Sequence, residues 1–314
     1  MIYTITFNPS LDVSGEVDEL VLDEKNYVHH ESVLAGGNGI NAGIIAHRLL
    51  SKVKLTGFLG GSNGKRLAGF LTKDKIPHHF ITVQDQTRMN VTISNKSDHR
   101  QTRLSFLGPV IRSAEKKLLL NYLKRIKRDD IIMMGGSLPP GVDPAYIRAI
   151  IHKSRRNKAI CIVDMPGHYL KSIIHLRPDF IKPNLTEFQD MVGKKVNSIK
   201  EVLPLATKLL DLVPCICISS IEGGAIILNK SEAWFGKLPK VKIHSSVGAG
   251  DSMVGAIASL WNINPQIGVE ELLRLGLAAS CASLTQKGLK LGSRKSILKF
   301  KSKIIMKKLS VSGR

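Results

Sequence analysis

The chain has 314 residues, a formal net charge of +21 and 43% hydrophobic residues, which predicts a globular protein of one large or two smaller domains. No uncharged apolar run reaches about 18 residues, so no membrane span is expected. A basic excess of this size is compatible with nucleic acid, anionic surfaces or anionic substrates as partners. Because the cations are dispersed and aromatics make up only 5%, a solvated basic surface is favoured over nucleic-acid binding.

All four cysteines stand in apolar runs that are typical of buried segments. They are Cys161, Cys215, Cys217 and Cys281. Buried small hydrophobic side chains explain them best, so the sequence predicts reduced thiols and a cytoplasmic location. Cys215 and Cys217 could form half of a metal site, but no second pair or nearby histidine supports that interpretation.

Strand-like and helix-like segments alternate along most of the chain. The predicted strands are residues 4–7, 53–58, 130–134, 159–164, 180–182 and 215–219. The amphipathic runs that predict helices include residues 39–50, 114–125, 144–155 and 199–212. This alternation predicts an α/β fold with a mostly parallel sheet covered by helices.

Two strand-rich patches interrupt the alternation, at residues 14–34 and 88–106. The second patch has the pattern of a hairpin around a polar turn. We expect both patches to form one small β-sheet that stands off the main domain as a lid. Residues 1–314 are otherwise predicted to be a single domain, with a basic amphipathic helix or tail at residues 294–314.

Two polar turns follow early strand-like segments. Asp12 comes after the first strand, at the carboxyl end where open α/β sheets bind ligands, although an aspartate here is also typical of a turn or cap. The glycine-rich turn at residues 35–39 lets backbone approach a ligand closely, and Asn41 offers both a donor and an acceptor. The turn is not a Walker A loop, since no Gly-Lys-Ser/Thr closes it.

A third polar turn, at residues 182–187, ends a strand and begins a helix. Asn184 and Glu187 are three residues apart and share a face of the first helical turn. Such oxygen ligands suit a hydrated magnesium ion near phosphates. The same pattern also fits an ordinary capping box, in which Asn184 caps the helix and Glu187 bonds back to it.

The most informative turn lies at residues 247–253, where Gly248 and Gly250 precede an apolar helical run. Backbone amides at such a helix N-terminus favour a phosphate or a developing oxyanion. Asp251 stands beside them as a candidate proton acceptor. An anion hole with a carboxylate base is suited to moving a phosphoryl group onto an alcohol, although Gly-x-Gly-Asp alone is also a common turn.

Together these motifs resemble the ribokinase/PfkB family of carbohydrate kinases over essentially the whole chain. The matching segments are Thr-Phe-Asn-Pro-Ser-Leu-Asp at 6–12, Gly-Gly-Asn-Gly-Ile-Asn at 36–41, Thr-Arg-Met-Asn at 87–90, Gly-Ser-Leu-Pro-Pro-Gly at 136–141, Lys-Pro-Asn-Leu-Thr-Glu at 182–187 and Gly-Ala-Gly-Asp-Ser-Met at 248–253. Residues 246–256 and 274–279 are most similar to the phosphosugar branch, in particular to the minor 6-phosphofructokinases. The resemblance implies a ribokinase-like three-layer sandwich with a small β-sheet lid.

The resemblance also implies roles for individual residues. Asp251 is expected to be the catalytic base, beside an anion hole formed by Gly248, Ala249 and Gly250. The residues expected to contact the sugar or its phosphate are Asp12, Lys25, Gly37, Asn38, Gly39, Asn41, Arg88, Asn90, Arg103 and Ser137. Those expected to contact ATP are Lys182, Asn184, Ser219, Ser220, Gly223 and Gly224. Those expected to hold cations are Glu187 and Asp164, for Mg²⁺ through water, and Ser245, Val247, Ser283, Gln286 and Gly288, for a monovalent cation such as K⁺.

Two positions depart from the family pattern. Asn38 stands where relatives usually carry Gly or Lys, and Ile221 stands where they usually carry Gly. Because a β-branched residue tolerates a positive φ poorly, the nucleotide loop around Ile221 is predicted to run differently.

The resemblance implies ATP-dependent phosphorylation of the 1-hydroxyl of fructose 6-phosphate to fructose 1,6-bisphosphate. Fructose 1-phosphate and tagatose 6-phosphate are alternative acceptors, as for a 1-phosphofructokinase or a tagatose-6-phosphate kinase. A homodimer through the lid sheet is expected, since the sheet has edges and an apolar face that need cover. A hypothesis of another class is a non-catalytic protein that binds polyanions on a kinase fold.

Overall fold

The computed structural model describes residues 1–310, which form two β-sheets with flanking helices. The strands are β1 (Ile2–Thr6), β2 (Ser10–Val17), β3 (His29–Gly36), β4 (Val53–Gly60), β5 (Ile81–Val83), β6 (Arg88–Asn95), β7 (Gln101–Leu104), β8 (Ile131–Gly135), β9 (Ile160–Asp164), β10 (Phe180–Ile181), β11 (Cys215–Ile221), β12 (Gly224–Asn229), β13 (Ala233–Lys237) and β14 (Ile305–Leu309). The helices are α1 (Asn38–Arg48), α2 (Gly61–Lys73), α3 (Ser113–Tyr122), α4 (Pro144–Arg156), α5 (Gly167–Ile173), α6 (Leu185–Val192), α7 (Ile199–Leu209), α8 (Ala249–Ile263), α9 (Val269–Leu284) and α10 (Arg294–Lys301).

The larger sheet has the strand order β14-β13-β12-β11-β10-β9-β8-β1-β4-β5. From β11 to β5 every neighbouring pair is parallel, whereas β12, β13 and β14 continue it as antiparallel strands. The chain runs from β1 to β4 and β5 on one side and later from β8 to β11 on the other. The order therefore reverses between β1 and β8, and ligands of open α/β sheets bind beyond the carboxyl ends at such a point.

Hydrophobic clusters cover both faces of the larger sheet. Helices α3 to α7 pack on one face, and α1, α2, α8, α9 and α10 pack on the other. Strands such as β1 and β8 are buried along their whole length, which explains why they read as continuous apolar runs rather than alternating ones. The predicted α/β three-layer architecture is confirmed.

The smaller sheet has the strand order β3-β2-β6-β7 and is separate from the larger one. Its strands come from the two patches predicted for a small sheet, but β2 begins at Ser10 and residues 18–28 between β2 and β3 form no strand. Asp12 pairs with Asn90 across the parallel β2–β6 ladder. Because side chains alternate along a strand, Ser10 and Asp12 lie on the same face of this small sheet.

The end of the chain differs from the prediction of a helix or tail at residues 294–314. Helix α10 ends at Lys301, and β14 then pairs with β13 at the edge of the larger sheet. Met306 packs on one face of that sheet and Leu309 on the other. Their three-residue spacing resembles a helical period, but in a strand an odd spacing places two side chains on opposite faces. Residues 311–314 of the predicted tail lie outside the described residues.

Two properties of the described part concern the cysteines and the helices. All four cysteines are buried and free of disulfide bonds. No helix within residues 1–310 combines the length and the apolar character needed to cross a membrane.

Candidate active site

A cleft of about 380 Å³ lies beyond the carboxyl ends of the parallel strands, between the larger and the small sheet. Its lining residues come from both sheets and from the N-termini of α1, α6 and α8. They are Ser10, Asp12, Gly37, Asn38, Asn41, Arg88, Arg103, Asp164, Lys182, Asn184, Glu187, Ser246, Val247, Gly248, Gly250 and Asp251. Most of the residues that the sequence assigned to separate motifs therefore meet in one place.

Asp251 lies in the first turn of α8 and is buried. Gly248 precedes the helix with φ of 76°, a left-handed conformation that favours glycine. Oδ2 of Asp251 accepts a 2.8 Å hydrogen bond from Nδ2 of Asn41. Burial, reinforced by repulsion from Asp164, raises the pKa of Asp251 to about 6, although the Asn41 bond partly opposes this. A carboxyl that titrates near neutral pH is suited to accepting a proton.

Lys182 supplies a buried cation beside the turn at residues 247–253. Its Nζ lies 3.1 Å from Oδ1 of Asp164, and both side chains are buried. Burial by itself lowers the pKa of Lys182, but the carboxylates of Asp164 and Glu187 outweigh it and raise the pKa. A Cβ atom added to Gly250 would lie 3.3 Å from Nζ of Lys182. The ammonium group and the amides of the turn thus form one electropositive region.

Asn184 and Glu187 form a capping box at the start of α6. Oδ1 of Asn184 accepts from the amide of Glu187 at 2.9 Å, and Oε2 of Glu187 accepts from the amide of Asn184 at 2.8 Å. The capping interpretation of this motif is therefore correct, yet both residues also line the cleft. Burial raises the pKa of Glu187, so a nearby cation would stabilise its ionised form.

Asp12 is held by neighbours in the small sheet. Its Oδ1 accepts from Oγ of Ser10 at 2.6 Å and from Nδ2 of Asn90 at 2.9 Å. A Cβ atom on Gly36 would lie 2.1 Å from Oδ2 of Asp12, so a larger residue there would displace the Asp12 carboxylate. Asn90 thus contacts Asp12 without lining the cleft. Sequence reasoning missed Ser10, which the two-residue alternation from Asp12 could have indicated.

Two guanidinium groups of the small sheet line the same cleft. Arg88 donates from Nη2 to the carbonyl of Asn8 at 2.9 Å and from Nη1 to that of Phe106 at 2.9 Å. Arg103 on β7 is exposed. Ser137 contacts Arg88 at 3.4 Å, and Asn8 donates to the Ser137 hydroxyl at 3.3 Å. Asn8 thus supports both Arg88 and Ser137, a role that its place in the motif at residues 6–12 does not reveal.

Several predicted site residues lie outside this cleft within the described part of the chain. Lys25 is exposed in the segment between β2 and β3, with Nζ 4.8 Å from the centroid of the Tyr27 ring. Gly39 packs on β1, where a Cβ atom would lie 2.9 Å from the carbonyl oxygen of Ile5. Ala249 begins α8 beside the lining residues, although its side chain is not among them.

The predicted nucleotide loop, residues 219–224, accommodates Ile221 without a positive φ at that residue. Ile221 is fully buried and pairs with Gly224 at the end of β11. The positive φ angles fall on Ser220 (61°) and on Glu222 (47°) and Gly223 (75°) instead. Ser219 bridges to Asn184, which lines the cleft. Gly224 is required by the sheet, since a Cβ there would lie 1.9 Å from the carbonyl oxygen of Gly236.

The structure places the residues predicted for a monovalent cation in more than one environment. The amide of Ser245 lies 3.5 Å from the carbonyl of Leu284, next to Ser283. The Ser283 hydroxyl bonds to that of Ser252 at 2.7 Å, and the Gln286 side chain donates to the carbonyl of Ala282. Val247 lines the cleft that also holds Asp251, whereas Gly288 lines a separate depression with Ser14.

The three-layer fold and this cleft define a phosphotransferase of the α/β class, with a carboxylate beside an amide-lined helix N-terminus. Residues 7–295 match the pfkB family of carbohydrate kinases. The chain belongs to this family, as its motifs predict, and the family implies ATP as the phosphoryl donor.

Known relatives span nearly the whole chain. A 1-phosphofructokinase of Bacillus subtilis (strain 168) is 30% identical over 284 residues, which cover 90% of this chain and 92% of the relative. A tagatose-6-phosphate kinase of Staphylococcus epidermidis (strain RP62A) is 31% identical over 264 residues, covering 82% and 84%. The crystal structure of phosphofructokinase-2 from Escherichia coli in complex with potassium superposes with a TM-score of 0.91 at 27% identity, covering 96% and 98%.

Proposed function

We propose that this kinase transfers the terminal phosphoryl group of ATP to the 1-hydroxyl of fructose 6-phosphate. The observation that carries the proposal is a single cleft with Asp251 and the amide-lined turn together with the guanidinium groups of Arg88 and Arg103. Paired cations suit an acceptor that already carries a phosphate dianion. Fructose 1-phosphate and tagatose 6-phosphate are alternative acceptors, because relatives of this chain are named 1-phosphofructokinase and tagatose-6-phosphate kinase.

In the proposed reaction Asp251 accepts the proton of the attacking hydroxyl. The amides of Gly248, Ala249 and Gly250, with Lys182, stabilise charge on the transferring phosphoryl group. Asp12 and Asn41 orient the sugar hydroxyls. Closure of the small sheet over the cleft would exclude water from the reaction.

Two cations are proposed for this kinase, Mg²⁺ and K⁺. Within residues 1–310 no group of three or more His, Cys, Asp or Glu side chains is placed to hold a metal ion. Asp164 and Glu187 would hold a hydrated Mg²⁺ ion, which would offset negative charge on the phosphates of ATP. A K⁺ site near Ser245 and Ser283 is supported by the potassium complex of the E. coli relative.

A homodimer through the small sheet is proposed on its exposed apolar side chains. Leu22 and Leu107 are each 81% exposed, and Leu104 on the edge strand β7 is 57% exposed. Light scattering coupled to size exclusion would give about twice the monomer mass of 34.5 kDa. The buried free thiols support a reducing, cytoplasmic compartment.

The acceptor is tested with an ADP-release assay on Mg²⁺-ATP. Fructose 6-phosphate is compared with fructose 1-phosphate, tagatose 6-phosphate and fructose. We expect the highest kcat/KM with fructose 6-phosphate and the lowest with fructose. Preference for another phosphosugar would change the acceptor, whereas turnover of none would favour the non-catalytic, polyanion-binding hypothesis.

The pH dependence of the reaction should report the ionisation of Asp251. Since its pKa is raised to about 6, we expect kcat/KM to fall as the pH drops below about 6, where the protonated carboxyl can no longer accept a proton. The control is Asn41→Ala, which removes a hydrogen bond to the ionised carboxylate and should move this limb to higher pH. If the acidic fall of kcat/KM occurs at the same pH in Asn41→Ala, it reports the ionisation of the substrate phosphate and not that of Asp251.

Arg103→Met tests the proposed phosphate end of the cleft. We expect a rise in KM for fructose 6-phosphate of about tenfold with kcat nearly unchanged, because a charge-assisted hydrogen bond contributes about 1.5 kcal/mol or more. Weak turnover of unphosphorylated fructose should not change. Arg100→Met, in the exposed turn between β6 and β7, is the matched control. Equal effects on fructose and its phosphate would show that Arg103 does not bind the phosphate.

A further inference from the structure

A second cavity, of about 390 Å³, lies behind the catalytic turn. It is bordered by β3 of the small sheet, by α1, by the end of α2 and by the segment between α9 and α10, and it opens to the surface. Its apolar walls are Val33, Leu34, Ala35, Ile44, Phe70, Leu71, Leu289 and Leu291. Its size and mostly apolar lining are those of small-molecule sites, which typically measure about 300–1,000 Å³.

Three of the six polar residues that line this cavity are cationic. Arg48, Lys73 and Lys290 line it, and Asp74 is its one carboxylate among the described residues. Nη1 of Arg48 donates to the carbonyls of Leu291 at 2.9 Å and Gly292 at 3.0 Å. No partner for Nε or Nη2 of Arg48 occurs in residues 1–310, and no carboxylate there lies within 4.0 Å of the group.

The donors that remain on Arg48 define the chemistry of a ligand. Nε and Nη2 form one edge of the planar guanidinium, the edge that binds the two oxygens of a carboxylate in parallel. Two carbonyl bonds fix the other side of the group, so little side-chain entropy remains to be lost on binding. The anchored cation and the apolar walls thus complement an anionic head on an apolar body.

The cavity shares its wall with the catalytic site. Asn41 lines both spaces and donates to Asp251. A Cβ atom on Gly248 would lie 2.6 Å from Cδ2 of Leu291. Asn41 and Leu291 therefore lie between the two spaces.

We propose that this cavity is a binding site for a small amphipathic carboxylate, with Arg48 at its anionic end. The ligand sits outside the catalytic cleft and contacts neither Asp251 nor Lys182. The inference does not depend on the acceptor of the kinase reaction, because binding is measured without turnover.

The test is calorimetric titration of the full chain with octanoate, and with neutral octanol for comparison. We expect saturable binding of octanoate, at least about tenfold tighter than octanol, since the carboxylate gains charge-assisted hydrogen bonds. Saturating fructose 6-phosphate should leave the affinity unchanged, because it occupies the other cleft. Equal binding of octanol, or displacement of octanoate by fructose 6-phosphate, would overturn the proposal.

Three substitutions test whether octanoate binds in this cavity. Arg48→Met keeps the apolar stem and should weaken octanoate at least about tenfold without changing octanol. Since this change also removes two carbonyl bonds, Val33→Trp provides a second test that fills the cavity with a side chain suited to a strand. It should abolish binding while the melting curve stays cooperative. Arg148→Met, on the exposed surface of α4, is the control. Unchanged octanoate binding in Val33→Trp would refute the site.

Discussion

Replacing Asp251 by Asn is expected to lower kcat by about 10²- to 10⁴-fold, the contribution of a positioned general base. The change is close to isosteric, and an Asn side-chain oxygen can still accept the hydrogen bond from Asn41. KM for both substrates should change little. The measurement is steady-state turnover of Mg²⁺-ATP and the preferred phosphosugar, with Asp211→Asn as a surface control.

Asp251→Asn is also expected to change how the free energy of unfolding depends on pH. The folded pKa of Asp251 is raised above its ordinary value, so ionisation destabilises the folded state as the pH rises from about 4 through about 6. Asp251→Asn should therefore be at least as stable as the parent at pH 7.5, and the difference should vanish near pH 3.5. A variant that is inactive and much less stable at pH 7.5 would indicate a structural role rather than a base.

Lys182→Met is expected to lower the free energy of unfolding by about 3–5 kcal/mol and to abolish measurable ATP turnover. The ammonium is paired with Asp164 at 3.1 Å, and both groups are buried. Removing one partner leaves an uncompensated buried charge, which is far more costly than losing an exposed pair. Urea denaturation at pH 7.5 measures the stability.

Two further variants separate the structural and functional effects of Lys182. The exposed pair of Lys230 and Asp211, also at 3.1 Å, is the matched control, so Lys230→Met should barely move the urea midpoint. Combining Lys182→Met with Asp164→Leu removes both buried charges and should restore most of the stability but none of the activity. Recovery of activity in the double variant would show that Lys182 only neutralises Asp164.

Local pattern was sufficient for most of the architecture. The parallel strands are nearly continuous apolar runs, and the helices between them keep one apolar face, so both kinds of element carry their own signal. The segment at residues 305–309 carried a misleading signal, because Met306 and Leu309 have a helical spacing but pack on opposite faces of an edge strand. Only the neighbouring strand β13 decides between the two interpretations.

In the candidate site, too, short motifs predicted some features, whereas others depended on the fold. Asp251, Gly248 and the other cleft motifs were recognisable because turns at strand ends need glycines and polar caps in short, fixed patterns. The exact course of the loop at Ile221 was not readable in advance, since a position in a motif does not reveal which residue takes the positive φ. The chain places that conformation on Ser220, Glu222 and Gly223 and buries Ile221 in the sheet.

The sequence by itself determined the α/β class, the family and the set of turns that carry the chemistry, because each depends on residues close together in the chain. The tertiary structure alone decided which turns meet. It joined Asn41 to Asp251 across 210 positions and Asn90 to Asp12 across 78, and it left Lys25 outside the cleft. Tertiary packing also formed the cavity at Arg48, whose walls come from β3, α1, the end of α2 and the segment between α9 and α10. Contacts between distant segments depend on how the sheets and helices pack, and no short sequence pattern records that packing.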